Sequence, residues 1–239
     1  MARRYTLARL PRLVLPGLPH HLVQQGHHRQ TVFETDEDYR TYLAALREAA
    51  LTCRVAVHAY ALLPDGVQLL ATPADASGLS RMMQTVGRRY VGWHNRVRGR
   101  SGTLWEGRFR ASVLDPQEFL LPVMVYVDTA SQRAEAGVDP AAWVWSSYGH
   151  HVGQRSDAFL AAHALYWTLG NTPFDREARY RGLVEHGLSQ QQVRQIEDAS
   201  WKGWALGSGA FIERIGQLVD RPLAPRPRGR PKKIHSVPV

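Results

Sequence analysis

Only one cysteine, Cys53, occurs in 239 residues, which rules out an internal disulfide framework and fits a reducing compartment. Long apolar runs are also missing. No window reaches the roughly 18 uncharged apolar residues of a membrane span, and the opening "MARRYTLARLPRLVLPGLPHH" is interrupted by Arg9, Pro11, Arg12, Pro16 and Pro19 before it attains signal-peptide length. A cytoplasmic location is therefore expected, with no membrane partner. Acidic residues are the third shortage: 21 Asp and Glu stand against 30 Lys and Arg, a net charge of +9. Such a balance draws polyanions and is silent about fold. Nucleic acid is the first partner it suggests and an anionic membrane surface the second. Cys53 itself, at the end of an amphipathic run, reads as a small buried residue.

What is present alternates between two periods. Residues 18–25 ("LPHHLVQQ") form a strand candidate ending at Gly26, followed by the polar loop "GHHRQ", whose His27 and His28 are expected to face solvent or phosphate. From Asp36, the residues Tyr39, Tyr42, Leu43, Leu46 and Ala50 recur at three and four, the spacing of a helix reaching about Cys53. "RVAVHAYALL" and "VQLLAT", separated by Pro64-Asp65-Gly66, read as a hairpin. A second helix is indicated from Ser77 by Leu79, Met82, Met83, Val86, Tyr90, Trp93 and Val97. "TLWEGRFRASVL" reads as an extended pair around Glu106-Gly107, and Asp115-Pro116 opens a third helix through Val127. This order predicts an α+β, ferredoxin-like sandwich, an antiparallel sheet with helices on one face. The domain boundaries expected are 1–155 for that unit, 156–219 for an all-helical extension and 220–239 for a basic Pro/Arg-rich tail too polar to pack, hence disordered.

Eight arginines (81, 88, 89, 96, 98, 100, 108 and 110) and a single acid, Glu106, fall between Arg81 and Arg110, interleaved with Tyr90, Trp93, His94 and Trp105. Guanidinium forks beside flat rings suit single-stranded nucleic acid, with charge for phosphates and faces for unstacked bases. Arg81, Arg88, Arg89, Arg96, Arg108, Arg110 and Trp105 are accordingly the DNA-contact candidates; the other reading makes the aromatics core and the arginines a solvated helix face. In the tail, Pro227-Arg228-Gly229-Arg230-Pro231 is AT-hook-like: an extended Arg-Gly-Arg fits a narrow minor groove, with Arg228 and Arg230 on its floor. Plain electrostatic tethering is the alternative for that segment.

Five ordered blocks, "GHHRQTVF", "HAYALLPDGVQLLATP", "SGTLWEGRFRASVL", "MVYVDTASQRAEAGV" and "WVWSSYGHH", resemble the REP-associated tyrosine transposases, bacterial relatives of the single-tyrosine insertion-sequence transposases in the HUH nuclease class. The likeness spans about residues 10 to 155, and the helical extension and "RGRPKK" ending are similar too. It implies a DNA partner, the hairpin or single-stranded form of repeat sequences, and a nucleoid-associated protein; a homodimer is left open. The family's chemistry joins a His-hydrophobe-His strand and a polar residue four after the tyrosine around a divalent metal, Mg or Mn, while the tyrosine attacks phosphorus to give a 5′-phosphotyrosine link.

Set onto this chain, the strand motif reads Gly66-Val67-Gln68, the nucleophile position is Tyr126, and the position four further on is Ala130. The resemblance thus implies a degenerate metal site at Gly66, Gln68 and Ala130, because one neutral amide does not hold a hard cation against water. Asp65, Asp128, His20, His21 and His58 are the side chains that could substitute, though Asp65 reads first as a turn residue and His58 as a hydrogen-bonded core or edge histidine. Tyr126 also fits an ordinary core position on its helix. The expected function is a DNA-binding protein of transposase descent with nicking and joining lost or strongly reduced, needing no cofactor. The alternatives are an active, metal-dependent tyrosine transposase carrying out DNA transposition with substitute ligands, and an RNA-binding or structural protein using the same basic face.

Overall fold

The computed structural model describes residues 12–134 and 137–224, and the structural statements that follow concern those residues. Four strands, β1 (His20–Gln25), β2 (Val55–Leu63), β3 (Gly66–Pro73) and β4 (Arg110–Val113), alternate with α1 (Asp36–Thr52) after β1 and α2 (Gly78–Val97) after β3. They pair antiparallel in the order β2-β3-β1-β4. Each helix carries the chain across one intervening strand, so two interleaved crossovers make the ferredoxin-like α+β unit that the period pattern predicts. α1 begins where Thr35 and Asp38 form a capping box. Its Tyr42, Leu46 and Ala49 meet Leu79, Val86 and Tyr90 of α2 over Leu22, Val67 and Leu69 of the sheet.

β2 shows how the strand keeps an apolar face in spite of an irregularity. Its pairing with β3 slips between Val57 and Ala59. The extra residue, His58, shifts the alternation, so Val55, Val57, Tyr60 and Leu62 all join the core under α1 and α2, while Ala59 and Ala61 turn to the other face. That other face is not left to solvent. Ala59, Ala61 and Leu70 share a second core with α3 (Pro116–Asp128) and with Tyr166, Tyr180, Ile196 and Ala199 from the C-terminal part of the chain.

The C-terminal part differs from a continuous helical extension. Its helices are α4 (Ala130–Arg133), α5 (Tyr148–His151), α6 (Ala164–Trp167), α7 (Pro173–His186), α8 (Gln190–Lys202) and α9 (Gly209–Gly216). Residues 156–163 are irregular and meet the edge of β2 at Ala161, whose amide donates to Val57 O and whose carbonyl accepts from His58 Nδ1. The expected extended pair in residues 103–114 is also half realised. Arg110–Val113 pairs with β1, whereas the earlier part touches the sheet through one bridge, Gly26 to Trp105. The tail candidates Arg228 and Arg230 lie outside the described residues.

One ion pair ties the start of α1 to the end of α2. Asp38, fully buried, accepts from both Arg98 Nη1 (2.9 Å) and Nη2 (2.7 Å). Burial alone would raise its pKa, but Arg98 and the amides of Thr35 and Glu34 outweigh that and hold the carboxyl below its usual range. A depressed value in the fold means stability that is present above the unfolded value and lost as pH falls through the folded one. Asp38→Ala is therefore expected to cost about 3 kcal/mol at pH 7, read by urea denaturation, with the gap to wild type closing below about pH 4. An undiminished gap at pH 3 would show that the charge is not what matters.

Candidate active-site pocket and basic surfaces

The face of the sheet turned away from α1 and α2 carries the site. β1 and β3 pair with Val23 opposite Gln68 and His21 opposite Leu70, so His21, Val23 and Gln68 project from the same face. α3 crosses this face and brings Tyr126; α8 closes it from the other side with Glu197, Ser200 and Trp201. Gly66, Gln68, Tyr126 and Ala130 line one cavity of about 630 Å³, together with His21, Arg29, Asp65, Ser131 and Arg133. The four positions singled out in the sequence are thus neighbours in space.

Tyr126 is buried, and its hydroxyl donates to Glu197 Oε1 at 3.3 Å. The Arg133 guanidinium lies 3.8 Å over its ring, donates to the Tyr126 carbonyl, and reaches Thr129 Oγ1 at 2.6 Å. Burial pushes the phenol above its usual pKa; Arg133 opposes the shift and Glu197 adds to it. The hydroxyl is therefore a hydrogen-bond donor at neutral pH rather than a ready phenolate. His21 packs edge-on to the same ring, 5.5 Å between centroids, and burial lowers its pKa to about 4.

The residues present do not fit the divalent metal that the family resemblance implies. Gly66 has no donor and no room for one: an added Cβ would stand 2.8 Å from the backbone oxygen of Gln24 on the neighbouring strand. Ala130 is apolar and buried. Gln68 keeps one amide oxygen without a partner. Among the described residues no group of three His, Cys, Asp or Glu side chains is placed to hold a cation.

The substitute candidates are mostly committed elsewhere. Asp128 is buried and accepts from Ser147, His151 and Tyr180. His58 bonds Ala161 O and Thr72 Oγ1, and His20 bonds Leu18 O and the Leu15 amide. The rings of His27 and His28 lie 4.0 Å apart in the exposed loop, tilted 55° to each other. His21 and Asp65 do reach the cavity, His21 from its floor. Glu197, Arg133 and Ser200 were not legible as site residues. Glu197 is 71 residues from Tyr126, and no local spacing announces such a contact.

The basic band of the sequence divides in space. Arg81, Arg88, Arg89 and Arg96 ride on α2, on the far face from Tyr126; Arg81 pairs with Asp75 and Arg89 with Glu48, while Arg88 and Arg96 are exposed. Arg108 and Arg110 lie near the site. They line a second cavity of about 270 Å³ with Lys202 and Trp204, and Trp201 lines both cavities. Arg110 stands 5.0 Å over the Trp201 ring and donates to its carbonyl. Trp105 requires a correction. It is 5% exposed, wedged against Phe33, Tyr42 and Tyr90, so it is core and offers no face to a base. The half-exposed ring beside the arginines is Trp201 instead.

No protein-family model matches this chain, and no curated protein does. Among solved structures, a REP-associated tyrosine transposase bound to a REP hairpin is similar with a TM-score of 0.53 and 14% identity, over 66% of this chain and 93% of that one. A candidate transposase from Deinococcus radiodurans R1 is similar with a TM-score of 0.37 and 20% identity, over 51% of this chain and 97% of that one. At 14% identity the first likeness shows a shared fold. No helix among the described residues is long and apolar enough to cross a membrane.

Two substitutions test this geometry. Gly66→Ala should destabilise by about 1–3 kcal/mol, since backbone rather than a flexible side chain must yield, and Trp105→Ala by about 3–5 kcal/mol, as expected for a core aromatic. Chemical denaturation reads both. A Trp105→Ala protein with wild-type stability but weakened DNA binding would return that residue to the surface.

Proposed function

We propose that this protein is a transposase-like DNA-binding protein that recognises hairpin or single-stranded repeat DNA, and in which metal-dependent nicking and joining at Tyr126 is lost or strongly reduced. The observation that carries this reading is the closed position at Gly66, next to a retained tyrosine in a cavity bordered by basic groups. DNA as the partner rests on the +9 charge and on the fold shared with a hairpin-bound transposase. Phosphates of a strand entering the site would meet Arg108, Arg110 and Lys202, with the Trp201 ring between them and Tyr126 as a stacking surface. Arg88 and Arg96 on the outer side of α2, with Arg81 and Arg89, are left to a duplex arm. The Arg228 and Arg230 segment would add minor-groove or plain electrostatic affinity.

Catalysis is the weak point for a chemical reason. A phenol held protonated by burial must lose its proton as it attacks, and the phosphoryl oxygens need positive charge as the transition state forms. Arg133 is the cation packed on the Tyr126 ring among the described residues, and two of its nitrogens are already bonded to Tyr126 O and Thr129. The second reading, an active transposase with substitute ligands, is favoured by His21 and Glu197, an imidazole and a carboxylate that both line the cavity with Gln68. An RNA-binding role uses the same basic surface and is separated only by experiment.

Hairpin DNA, matched RNA and plain duplex, compared by gel shift, should rank in that order. Arg108→Ala should reduce the slope of log affinity against log salt by about 1, the signature of one phosphate contact. With Mg or Mn, labelled hairpin should remain uncut. Metal-dependent nicking that vanishes in Tyr126→Phe would overturn the loss of activity and establish the second reading.

A further inference from the structure

We infer that the second cavity, at the end of α8, is a seat for the phosphate-terminated end of a DNA strand, with the Trp204 indole N–H and the surrounding guanidinium groups holding the terminal phosphate. The inference deepens the DNA-binding reading and rests on it.

Four parts of the chain meet at this cavity. The segment before β1 gives Arg12, the approach to β4 and its first residue give Arg108 and Arg110, the end of α8 gives Lys202, and the segment after α9 gives Arg221. No Asp or Glu lines it. Lys202 reaches Asp198 at 2.8 Å, but in an exposed pair of the kind that is worth little. Arg108 is exposed and has no acidic partner among the described residues.

The fold holds several of these cations in place. Arg12 Nε donates to Phe109 O at 3.0 Å, and its guanidinium lies 3.7 Å over the Phe109 ring. Arg110 sits over the Trp201 ring and gives one hydrogen to the Trp201 carbonyl; a guanidinium has five to give. The end of a helix presents carbonyl oxygens that repel an anion. Here they are already taken, Trp201 O by Arg110, Gly203 O by Arg221 and Trp204 O by Ser112.

An independent observation points to an acceptor. Trp204 lines the cavity, and its indole nitrogen is buried without a partner. That nitrogen only donates, so its burial leaves an oxygen wanting, which an apolar occupant does not supply. Charge favours a strand end over an internal phosphate. A phosphomonoester carries about −1.5 to −2 at pH 7 and offers three strong acceptor oxygens; an internal phosphate carries a single charge and has two oxygens tied up as esters. Donors supplied by four chain segments suit the former. The volume, about 270 Å³ against about 630 Å³ beside Tyr126, suits a terminal phosphate and its sugar. Trp201 lines both cavities and offers the next base a stacking face on the way to Tyr126.

The test uses the full chain, one hairpin-forming oligonucleotide made with a 5′-phosphate, a 3′-phosphate or hydroxyls at both ends, and inorganic phosphate as the smallest probe. One of the phosphorylated forms should bind roughly tenfold tighter than the hydroxyl-ended form in titration calorimetry. The NMR signal of the Trp204 indole N–H, assigned with Trp204→Phe, should move on adding it. Arg108→Ala, at an exposed position, and Trp204→Phe, which keeps a ring and removes the donor, should each cut the preference roughly threefold. Equal affinity of the three forms, or a preference unchanged in both variants, overturns the site. An indole signal that moves with inorganic phosphate while the three forms bind alike gives the cavity to a free anion and overturns the strand end. Tight hairpin binding indifferent to the terminal phosphate leaves the DNA-binding reading standing, whereas no binding of any form sinks that reading and the inference with it.

Discussion

A buried carboxylate two residues beyond Tyr126 holds the site's architecture together. Asp128 is fully enclosed, and it accepts from Ser147 Oγ, from His151 Nδ1 at 2.6 Å and from Tyr180 OH at 2.8 Å. These partners come from the loop before α5, from α5 and from α7. His151 continues the chain of contacts to His58 O in β2, at 3.0 Å, and Ser147 exchanges hydrogen bonds with Tyr60 in the same strand. Both ring nitrogens of His151 thus face acceptors, Asp128 Oδ2 and the His58 carbonyl. Breaking such a group by deleting one partner costs several kcal/mol, because the remaining charge stays buried. Residues two apart on a helix point about 200° apart, so fixing Asp128 on one side of α3 fixes Tyr126 on the other, toward the cavity.

The rest of the site follows from that orientation. Once Tyr126 faces the sheet, its ring has His21 beneath it, Arg133 above it and Glu197 at its hydroxyl. Each neighbour changes what the phenol can do. Glu197 takes its hydrogen bond and favours the protonated form; Arg133 acts the other way, but burial outweighs it. The strand that presents Gln68 passes so close to β1 at Gly66 that a side chain there would collide with Gln24 O. The absence of a side chain at Gly66 and the absence of space for one are therefore one structural fact. Introducing a side chain there by substitution demands that two central strands part.

Much of the ferredoxin-like unit could be read from periodicity, because its elements are local. The capping box at Thr35 and Asp38, the apolar stripe of α2 and the Pro64-Asp65-Gly66 turn each announce themselves within a few residues. The grouping of Gly66, Gln68, Tyr126 and Ala130 came from family likeness, and those residues do share a cavity. What stayed hidden is non-local. Trp105 sits in a run of arginines and looks like a base platform, yet the space between Phe33, Tyr42 and Tyr90 takes it inward, since a buried indole gains more than an exposed one. Arg98 belongs to the same band and is spent on Asp38. Charge counted along the sequence mixed arginines on two faces of a sheet.

The C-terminal helices are best understood as part of the site rather than as an appendage. In the ferredoxin-like unit α1 and α2 cover one face, and α3 alone is too narrow to cover the other. α7 and α8 complete that second core through Tyr180, Ile196 and Ala199. The same turns of α8 that bury Ile196 and Ala199 aim Glu197 and Ser200 at the cavity, as helical spacing of three and four requires. Apolar packing thus determines where the carboxylate meets the phenol and where the serine meets His21. Ser200 meets His21 Nδ1 at 2.6 Å, so a residue 179 positions away in the chain helps hold the imidazole on the floor of the cavity. The chemistry available at a strand near the start of the fold is therefore written by a helix near its end.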